Sequence, residues 1–243
     1  GALRDVVVNH MMQVVAAAAM EPPAGGRSED LKNALVTAFR AVNTADPSHY
    51  VRGQYEGYLD VDGVAPGSTT ETFAALRLEI DNWRWSGVPF FLRTGKLLAA
   101  TQTELRVVFK HPPKLGFDVL GRGHSEPDQF IVRLDTSTGV RIVMEAHRAG
   151  APRAEPVTLD MKFSDEGGEG ATPYEVLLHA AMVGATTRFT RQDGVEETWR
   201  IMQPLVDAPP PVHPYAPGSW GPKEADALVL GHSNWHEPWM DGA

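Results

Sequence analysis

The stretch Arg4-Asp5-Val6-Val7-Val8-Asn9-His10-Met11-Met12, which continues as an apolar run to Met20, decides how the chain begins to fold. Its apolar side chains recur at helical spacing, at Val6, Val7, Met11, Val14, Ala17 and Ala18. This periodicity predicts one amphipathic helix, which ends at Glu21-Pro22-Pro23 because proline cannot continue a helix. His10 follows Val6 and Val7 by four and three residues, so we expect it on the buried face.

Two interpretations of Asp5 and His10 are open from this helix alone. Asp5 lies near the predicted N-terminus, where a carboxylate accepts unpaired backbone N–H groups, and His10 is then an ordinary packed histidine. Alternatively, packing of the helix holds the histidine so that its ring is aimed in one direction. For an isolated helix the structural interpretation is the simpler one.

The composition excludes several classes of protein. The chain has 243 residues, of which 42% are hydrophobic, enough for a substantial core. Its net charge of −9 argues against a general nucleic-acid-binding surface. No window approaches the roughly 20 apolar residues of a membrane span. The absence of cysteine excludes disulfides and thiolate metal sites and agrees with the cytoplasmic location that we predict.

The predicted elements follow the order helix, helix, sheet, helix. A second helix is expected over residues 28–43. Strands are expected over residues 50–58, 70–80, 89–93, 104–110, 129–134, 140–146 and 158–163. Helices return over residues 173–188, 194–206 and 222–230. No helix-length segment separates the later strands, which favours an α+β fold with a large, mainly antiparallel sheet and helices on one face. Alternation in residues 70–80 places Phe73 on the outward face of this sheet.

Several short segments, together with the first helix, resemble the glucose-6-phosphate dehydrogenase family, and they do so in that family's order. They are Gly53-Gln54-Tyr55, residues 67–75 and 82–90, Leu92-Arg93-Thr94-Gly95-Lys96, Tyr174-Glu175, Phe189-Thr190-Arg191, Trp199-Arg200 and residues 215–222. The resemblance covers nearly the whole chain. It implies the α+β second domain of that family, whose sheet forms the dimer interface, so we expect a homodimer or tetramer.

The resemblance also implies functions for particular residues. His10 matches the general base that acts on glucose 6-phosphate, and Asp5 and Lys96 match substrate-binding positions. Without the family, Lys96 would be read as a solvated turn cation. Arg93 matches a further characteristic position, to which we give a structural role. Five residues beyond Lys96 the family usually has a basic residue, whereas this chain has Thr101.

No G-x-G-x-x-G turn is present in the sequence, so no residue is assigned to cofactor binding. No metal site is expected either. The family carries NADP on an N-terminal Rossmann domain and grips the sugar phosphate with an H-Y-L-G-K-type motif, and both are missing here. We therefore expect residues 1–243 to be the C-terminal substrate-binding and dimerisation domain, incomplete at its N-terminal end and inactive alone. Two alternatives stay open: a non-catalytic assembly or binding module, and a paralogue that acts on another sugar.

Overall fold

The computed structural model describes residues 1–111, 127–135, 138–146, 149, 155–163 and 171–240, and it divides the chain into two units. The first unit contains Gly1–Ala100 and Thr172–Trp235, and the second contains Thr101–Ala171 and His236–Ala243. Each unit is built around one four-stranded sheet. The candidate residues Asp5, His10 and Lys96 all belong to the first unit.

The first helix, α1, is π-helical over Leu3–Met11 and α-helical over Met12–Ala19. In a π-helix each N–H bonds to the carbonyl five residues back, so a turn holds more residues than in an α-helix and the buried face recurs at wider spacing. The fully or nearly buried side chains are Leu3, Val7, Val8, Met12, Val15, Ala16 and Ala19. The prediction that His10 lies on the buried face is therefore wrong, because its side chain is exposed.

Three further α-helices belong to the first unit: α2 (Ser28–Ala41), α3 (Pro173–Met182) and α4 (Gln192–Asp207). Arg27 precedes α2, and its backbone N–H donates to the Asp30 carboxylate of the first turn at 3.2 Å. Side chains from α1, α2 and α4 form the main core against one face of the first sheet. A short 3₁₀-helix over Lys223–Val229 lies near the end of the unit.

The first sheet has the strand order β3-β2-β1-β8. Its strands are β1 (Tyr50–Tyr55), β2 (Phe73–Glu79), β3 (Pro89–Gly95) and β8 (Val212–Tyr215). The β1, β2 and β3 strands pair antiparallel, whereas β8 pairs parallel to β1. The sequence analysis did not predict β8, which is only four residues long and contains Pro214.

Both faces of β2 are buried over residues 73–76. Ala74, Leu76 and Leu78 contribute to the main core beneath the helices. Phe73 packs instead into a second cluster of buried residues with Ala75, Tyr215, Ala225 and Leu228. Phe73 is 0% exposed, so its predicted position on an open outward face is wrong. The physical reason is that the Tyr215 side chain, together with Ala225 and Leu228 from the segment after β8, covers Phe73.

The second unit contains an entirely antiparallel sheet with the order β4-β5-β6-β7. Its strands are β4 (Glu104–Val108), β5 (Gln129–Arg133), β6 (Gly139–Ala146) and β7 (Glu155–Lys162). On one face the Trp239 ring lies 5.6 Å from the Arg133 guanidinium carbon and 4.4 Å from that of Arg141. The other face carries apolar side chains on every strand.

This second face, which we call the apolar sheet face, follows from the strand registers. Directly paired residues share a face of an antiparallel sheet. The registers place Leu105, Val132, Val140 and Met161 in one row, and Val107, Phe130, Ile142 and Leu159 in the next. Leu159 and Met161 remain 54% and 49% exposed.

The predicted α+β class with mainly antiparallel strands is confirmed. The structure distributes the described strands over two four-stranded sheets, whereas the sequence suggested one large sheet. Within the described part of the chain, no helix combines the length and the apolar character needed to cross a membrane.

Candidate functional site

The N-terminal end of α1 is fixed to the residues just before β2. The backbone N–H of Ala2 donates to the carbonyl oxygen of Glu71 at 2.9 Å. The backbone N–H of Leu3 donates to the Glu71 side-chain oxygen Oε1 at 3.1 Å. Glu71, and not Asp5 as the capping interpretation supposed, therefore satisfies terminal N–H groups that a helix leaves unpaired.

Glu71 forms an ion pair with Arg52 on β1. The Arg52 Nη2 atom lies 3.4 Å from Glu71 Oε2, and the two side chains are only 9% and 13% exposed. Arg52 also donates to the carbonyl oxygen of Thr69 and, at 3.3 Å, to that of Pro210. Burial, and then the Glu71 carboxylate, raise the pKa of the Tyr50 hydroxyl beside this pair.

Lys96 lies in the turn that directly follows β3. Its backbone N–H donates to the carbonyl oxygen of Thr72 at 2.9 Å. The next residue, Leu97, has a φ of +51°, a left-handed conformation that costs a non-glycine residue about 1–3 kcal/mol. The Leu97 carbonyl accepts the N–H of Gly218 at 2.8 Å, which holds the turn in this conformation. The Lys96 side chain is left exposed.

Tyr215, the last residue of β8, ties the same turn to the sheet. Its hydroxyl donates to the carbonyl oxygen of Lys96 at 2.7 Å and lies 3.1 Å from Thr72 Oγ1. Burial raises the pKa of the Tyr215 hydroxyl, so it remains a proton donor at neutral pH. The backbone that carries Lys96 is thereby held from two sides.

The two attachments lie next to each other in the chain. The start of α1 is bonded to Glu71, and the Lys96 turn is bonded to Thr72. Asp5 lies in the first turn of α1, so the structure brings the backbones of Asp5 and Lys96 to the same end of the first sheet. The side chains of Asp5, His10 and Lys96 are all exposed.

The imidazole of His10 is close to one neighbouring side chain. Asn9 Nδ2 lies 3.4 Å from His10 Nε2 and can only donate, so the two form a hydrogen bond in the tautomer whose Nε2 carries no proton. The exposed ring is accessible to a ligand from solvent. Its backbone does not move freely, because Val7, Val8 and Met12 on either side of it are buried.

Arg93 has structural contacts, as the sequence analysis expected. Its guanidinium carbon lies 5.2 Å from the Trp220 ring centre and 4.8 Å from that of Trp235, which are cation–π distances. Thr101, the position where a basic residue was expected, is exposed and belongs to the second unit. No group of three or more potential metal ligands occurs among the residues that the structure describes.

The sequence analysis did not assign Glu71, Arg52 or Tyr215 to the site. Glu71 stood among the polar residues of a predicted strand, and nothing local connects it with Arg52, which lies 19 residues earlier. The available signal was that Glu71 and Tyr215 both belong to segments that resemble the family. The function of Tyr215 depends on the pairing of β8 with β1, which local sequence patterns do not reveal.

Comparisons with known proteins agree on one family. A family model described as glucose-6-phosphate dehydrogenase, C-terminal domain, matches residues 1–237. Glucose-6-phosphate 1-dehydrogenase 1 of Mycobacterium tuberculosis is 48% identical over 240 residues, which are 99% of this chain and 51% of the relative. The Treponema pallidum glucose-6-phosphate 1-dehydrogenase is 37% identical over 260 residues, 98% of this chain and 50% of the relative.

Two solved structures of glucose-6-phosphate dehydrogenases are also similar to this chain over nearly its whole length. The crystal structure of glucose-6-phosphate 1-dehydrogenase from Mycobacterium avium has a TM-score of 0.90 and 48% identity, and the match covers 99% of this chain and 51% of that one. A glucose-6-phosphate dehydrogenase in complex with its substrate glucose-6-phosphate has a TM-score of 0.84 and 26% identity, with 98% and 51% covered. The chain thus spans about half the length of the relatives that it matches.

Proposed function

Because this chain belongs to the glucose-6-phosphate dehydrogenase C-terminal domain family, we propose that it is the substrate-binding half of an enzyme that oxidises glucose 6-phosphate to 6-phosphogluconolactone with NADP. The reaction opens the oxidative pentose phosphate route. The observation that carries the proposal is the family match over residues 1–237, which includes α1 with Asp5 and His10. We call this chain, together with the N-terminal half that its relatives carry, the complete enzyme.

In this proposal His10 is the general base. Oxidation of the C1 hydroxyl of the sugar requires a group that removes the hydroxyl proton while hydride leaves the same carbon. An imidazole has an ordinary pKa of about 6.5, which suits this task at neutral pH. The exposed ring of His10 on a buried helix backbone supports the assignment, because the ring is accessible to a ligand and its backbone is fixed.

Asp5 and Lys96 bind the substrate in this proposal. A carboxylate accepts hydrogen bonds from sugar hydroxyls, and a lysine donates charge-assisted bonds to hydroxyl or phosphate oxygens. Ala2 and Leu3, at the start of the helix that carries Asp5, bond to Glu71, and the Lys96 backbone bonds to the adjacent Thr72, which supports a shared role.

The residues of this chain do not fit a dinucleotide site. NADP supplies the hydride acceptor of the proposed reaction, yet the sequence lacks the glycine-rich turn that approaches a pyrophosphate. We therefore assign NADP binding to the N-terminal half of the complete enzyme. The cytoplasmic location predicted from the sequence accompanies this proposal and stays a prediction.

Association of two copies of the chain through a sheet is also part of the proposal. The proposed sheet face differs from the one that the sequence suggested. Phe73 is buried, so the first sheet offers no open apolar face at that position. The apolar sheet face of the second unit is the better candidate. Phe109, Leu134, Leu159, Met161 and Phe163 lie on it or continue its rows, and they are 40–54% exposed. Apolar patches of this kind mark protein interfaces, and a second copy of the chain is the partner that we propose.

Lys96→Ala tests the substrate assignment in the complete enzyme. A charge-assisted hydrogen bond contributes roughly 1.5–3 kcal/mol, so KM for glucose 6-phosphate should rise by about tenfold or more, and KM for NADP should not change. Lys223→Ala removes another exposed lysine and is the matched control. If both variants keep the wild-type KM, Lys96 is a solvated turn cation.

The substrate range of the wild-type complete enzyme tests the two alternatives. Activity on a different sugar would favour the paralogue, and no activity on any sugar would favour the non-catalytic module.

A further inference from the structure

We propose that Glu71, held by Arg52, is a positioning residue that sets the placement of α1 and thereby of Asp5 and His10. This inference rests on the proposed function for its catalytic consequence, while its structural part concerns contacts within the chain. Neither Glu71 nor Arg52 is one of the residues to which the family resemblance assigned a role. Both are charged, and the side chains of Arg52 and Glu71 are only 9% and 13% exposed, which is costly unless the two charges pair with each other.

Glu71 binds the end of α1 with two different groups. Its main-chain carbonyl accepts from Ala2, and its carboxylate accepts from Leu3. The side chain of the N-cap residue Ala2 can accept no hydrogen bond, so the cap comes from a distant segment of the chain. A carboxylate at this end also interacts favourably with the positive end of the helix dipole.

Arg52 fixes the orientation of that carboxylate. Oε1 of Glu71 accepts from Leu3, and Oε2 faces the Arg52 guanidinium. The guanidinium is itself anchored by the carbonyls of Thr69 and Pro210, which belong to separate segments. The carboxylate therefore has one oxygen for the helix and one for the sheet, and rotation about its side-chain bonds would break one of the two contacts.

Gly1 shows how tightly the helix end meets this carboxylate. A Cβ atom built on Gly1 would lie 2.2 Å from Glu71 Oε1 and 2.8 Å from its Cδ. These distances are shorter than real Cβ contacts, so a side chain at this position must displace the carboxylate. Because Arg52 restrains the carboxylate, the displacement would pass to the helix or break the ion pair. Gly1→Ala is therefore a second way to disturb the same contact without changing a charge.

The catalytic consequence follows from the neighbouring attachment of Lys96. The start of α1 is hydrogen-bonded to residue 71, and the Lys96 turn is hydrogen-bonded to residue 72. Loss of the Glu71 contact would let α1 shift while Thr72 and Tyr215 still hold Lys96. A misplacement of about 1 Å in a catalytic group can reduce the rate by up to a hundredfold. Substrate turnover should thus respond to Glu71 even though its carboxylate is engaged with the helix and Arg52.

The test compares Glu71→Gln, Glu71→Ala and Gly1→Ala with wild type in the complete enzyme. Glu104→Gln is the matched control, because Glu104 is 14% exposed, pairs with Arg106 at 2.8 Å and accepts the backbone N–H of Trp239 at 2.8 Å. We expect kcat/KM for glucose 6-phosphate to fall about tenfold in Glu71→Gln and up to a hundredfold in Glu71→Ala. KM for NADP and the kinetics of Glu104→Gln should stay at wild-type values.

A merely structural role gives a different result. If Glu71→Ala lowers Tm but keeps kcat/KM within twofold of wild type at a temperature where the variant is folded, the positioning role is overturned. Amide hydrogen exchange in the 243-residue chain gives an independent readout. Exchange at Leu3 should become faster in Glu71→Ala and Gly1→Ala, and unchanged exchange would also overturn the inference. A wild-type enzyme that does not oxidise glucose 6-phosphate refutes the proposed function instead, and the exchange measurement still decides whether Glu71 holds α1.

Discussion

His10 combines an exposed ring with a backbone that is fixed by its buried neighbours. The sequence suggested the opposite environment, a histidine packed against the core. The difference matters for function, because a ligand cannot reach an imidazole that is packed in the core, whereas it can reach an exposed one from solvent. Exposure also means that a substitution of His10 can change catalysis without a large change in stability. Surface replacements usually change the free energy of unfolding by less than about 0.5 kcal/mol.

His10→Asn should therefore lower kcat of the complete enzyme by roughly 10²–10⁴-fold, the usual contribution of a positioned general base. Its Tm should stay close to that of wild type. His179→Asn, which replaces an exposed histidine on α3, serves as the control and should keep full activity. A His10→Asn enzyme with wild-type kcat, measured by steady-state reduction of NADP, would show that another group is the base.

The element α1 shows which part of the structure local sequence could predict and which it could not. Its extent, close to residues 5–20, followed from the apolar run and the prolines after it. Its helix type did not, because the doublets Val7-Val8 and Met11-Met12 offer apolar residues to either of two faces. The contacts of α1 with β2, β3 and the other helices select the π-helical face, and these contacts join residues far apart in the sequence.

Met12→Ala and Met11→Ala distinguish the two faces experimentally. Met12 is 0% exposed, and truncating a fully buried methionine typically costs about 2–5 kcal/mol. Met11 is half-buried, so the cost of its truncation should be less than half as large. Urea unfolding of the 243-residue chain measures both free energies. Equal costs, or a larger cost for Met11, would support the α-helical face that the sequence suggested.

At the scale of the whole molecule, the strands were more predictable than their arrangement. The strands β1 to β7 lie within or close to their predicted ranges, because alternating apolar residues are a local signal. Their division into two sheets, and the parallel pairing of β8 with β1, depend on long-range contacts. The candidate residues were found through the family resemblance, but the groups that fix them, Glu71 and Tyr215, required the structure.

The apolar sheet face leads to a prediction about assembly. Leu159→Asp places a charge on that face, where Leu159 of the edge strand β7 is 54% exposed, and should weaken self-association. Thr158→Asp introduces the same charge at the adjacent residue of β7, which points to the opposite face. Sedimentation velocity should therefore show a loss of dimer for Leu159→Asp only. Equal behaviour of the two variants would place the interface elsewhere.

The most direct test of the account compares the complete enzyme with the 243-residue chain in one assay, the reduction of NADP in the presence of glucose 6-phosphate. The complete enzyme should turn over at a rate within the usual range of about 1–10³ s⁻¹. The 243-residue chain should show no turnover, because it lacks the dinucleotide site that must hold the hydride acceptor against the sugar. Turnover by the purified chain alone, or a complete enzyme that leaves glucose 6-phosphate unchanged, would contradict the proposal that this chain is the substrate-binding half of a glucose-6-phosphate dehydrogenase.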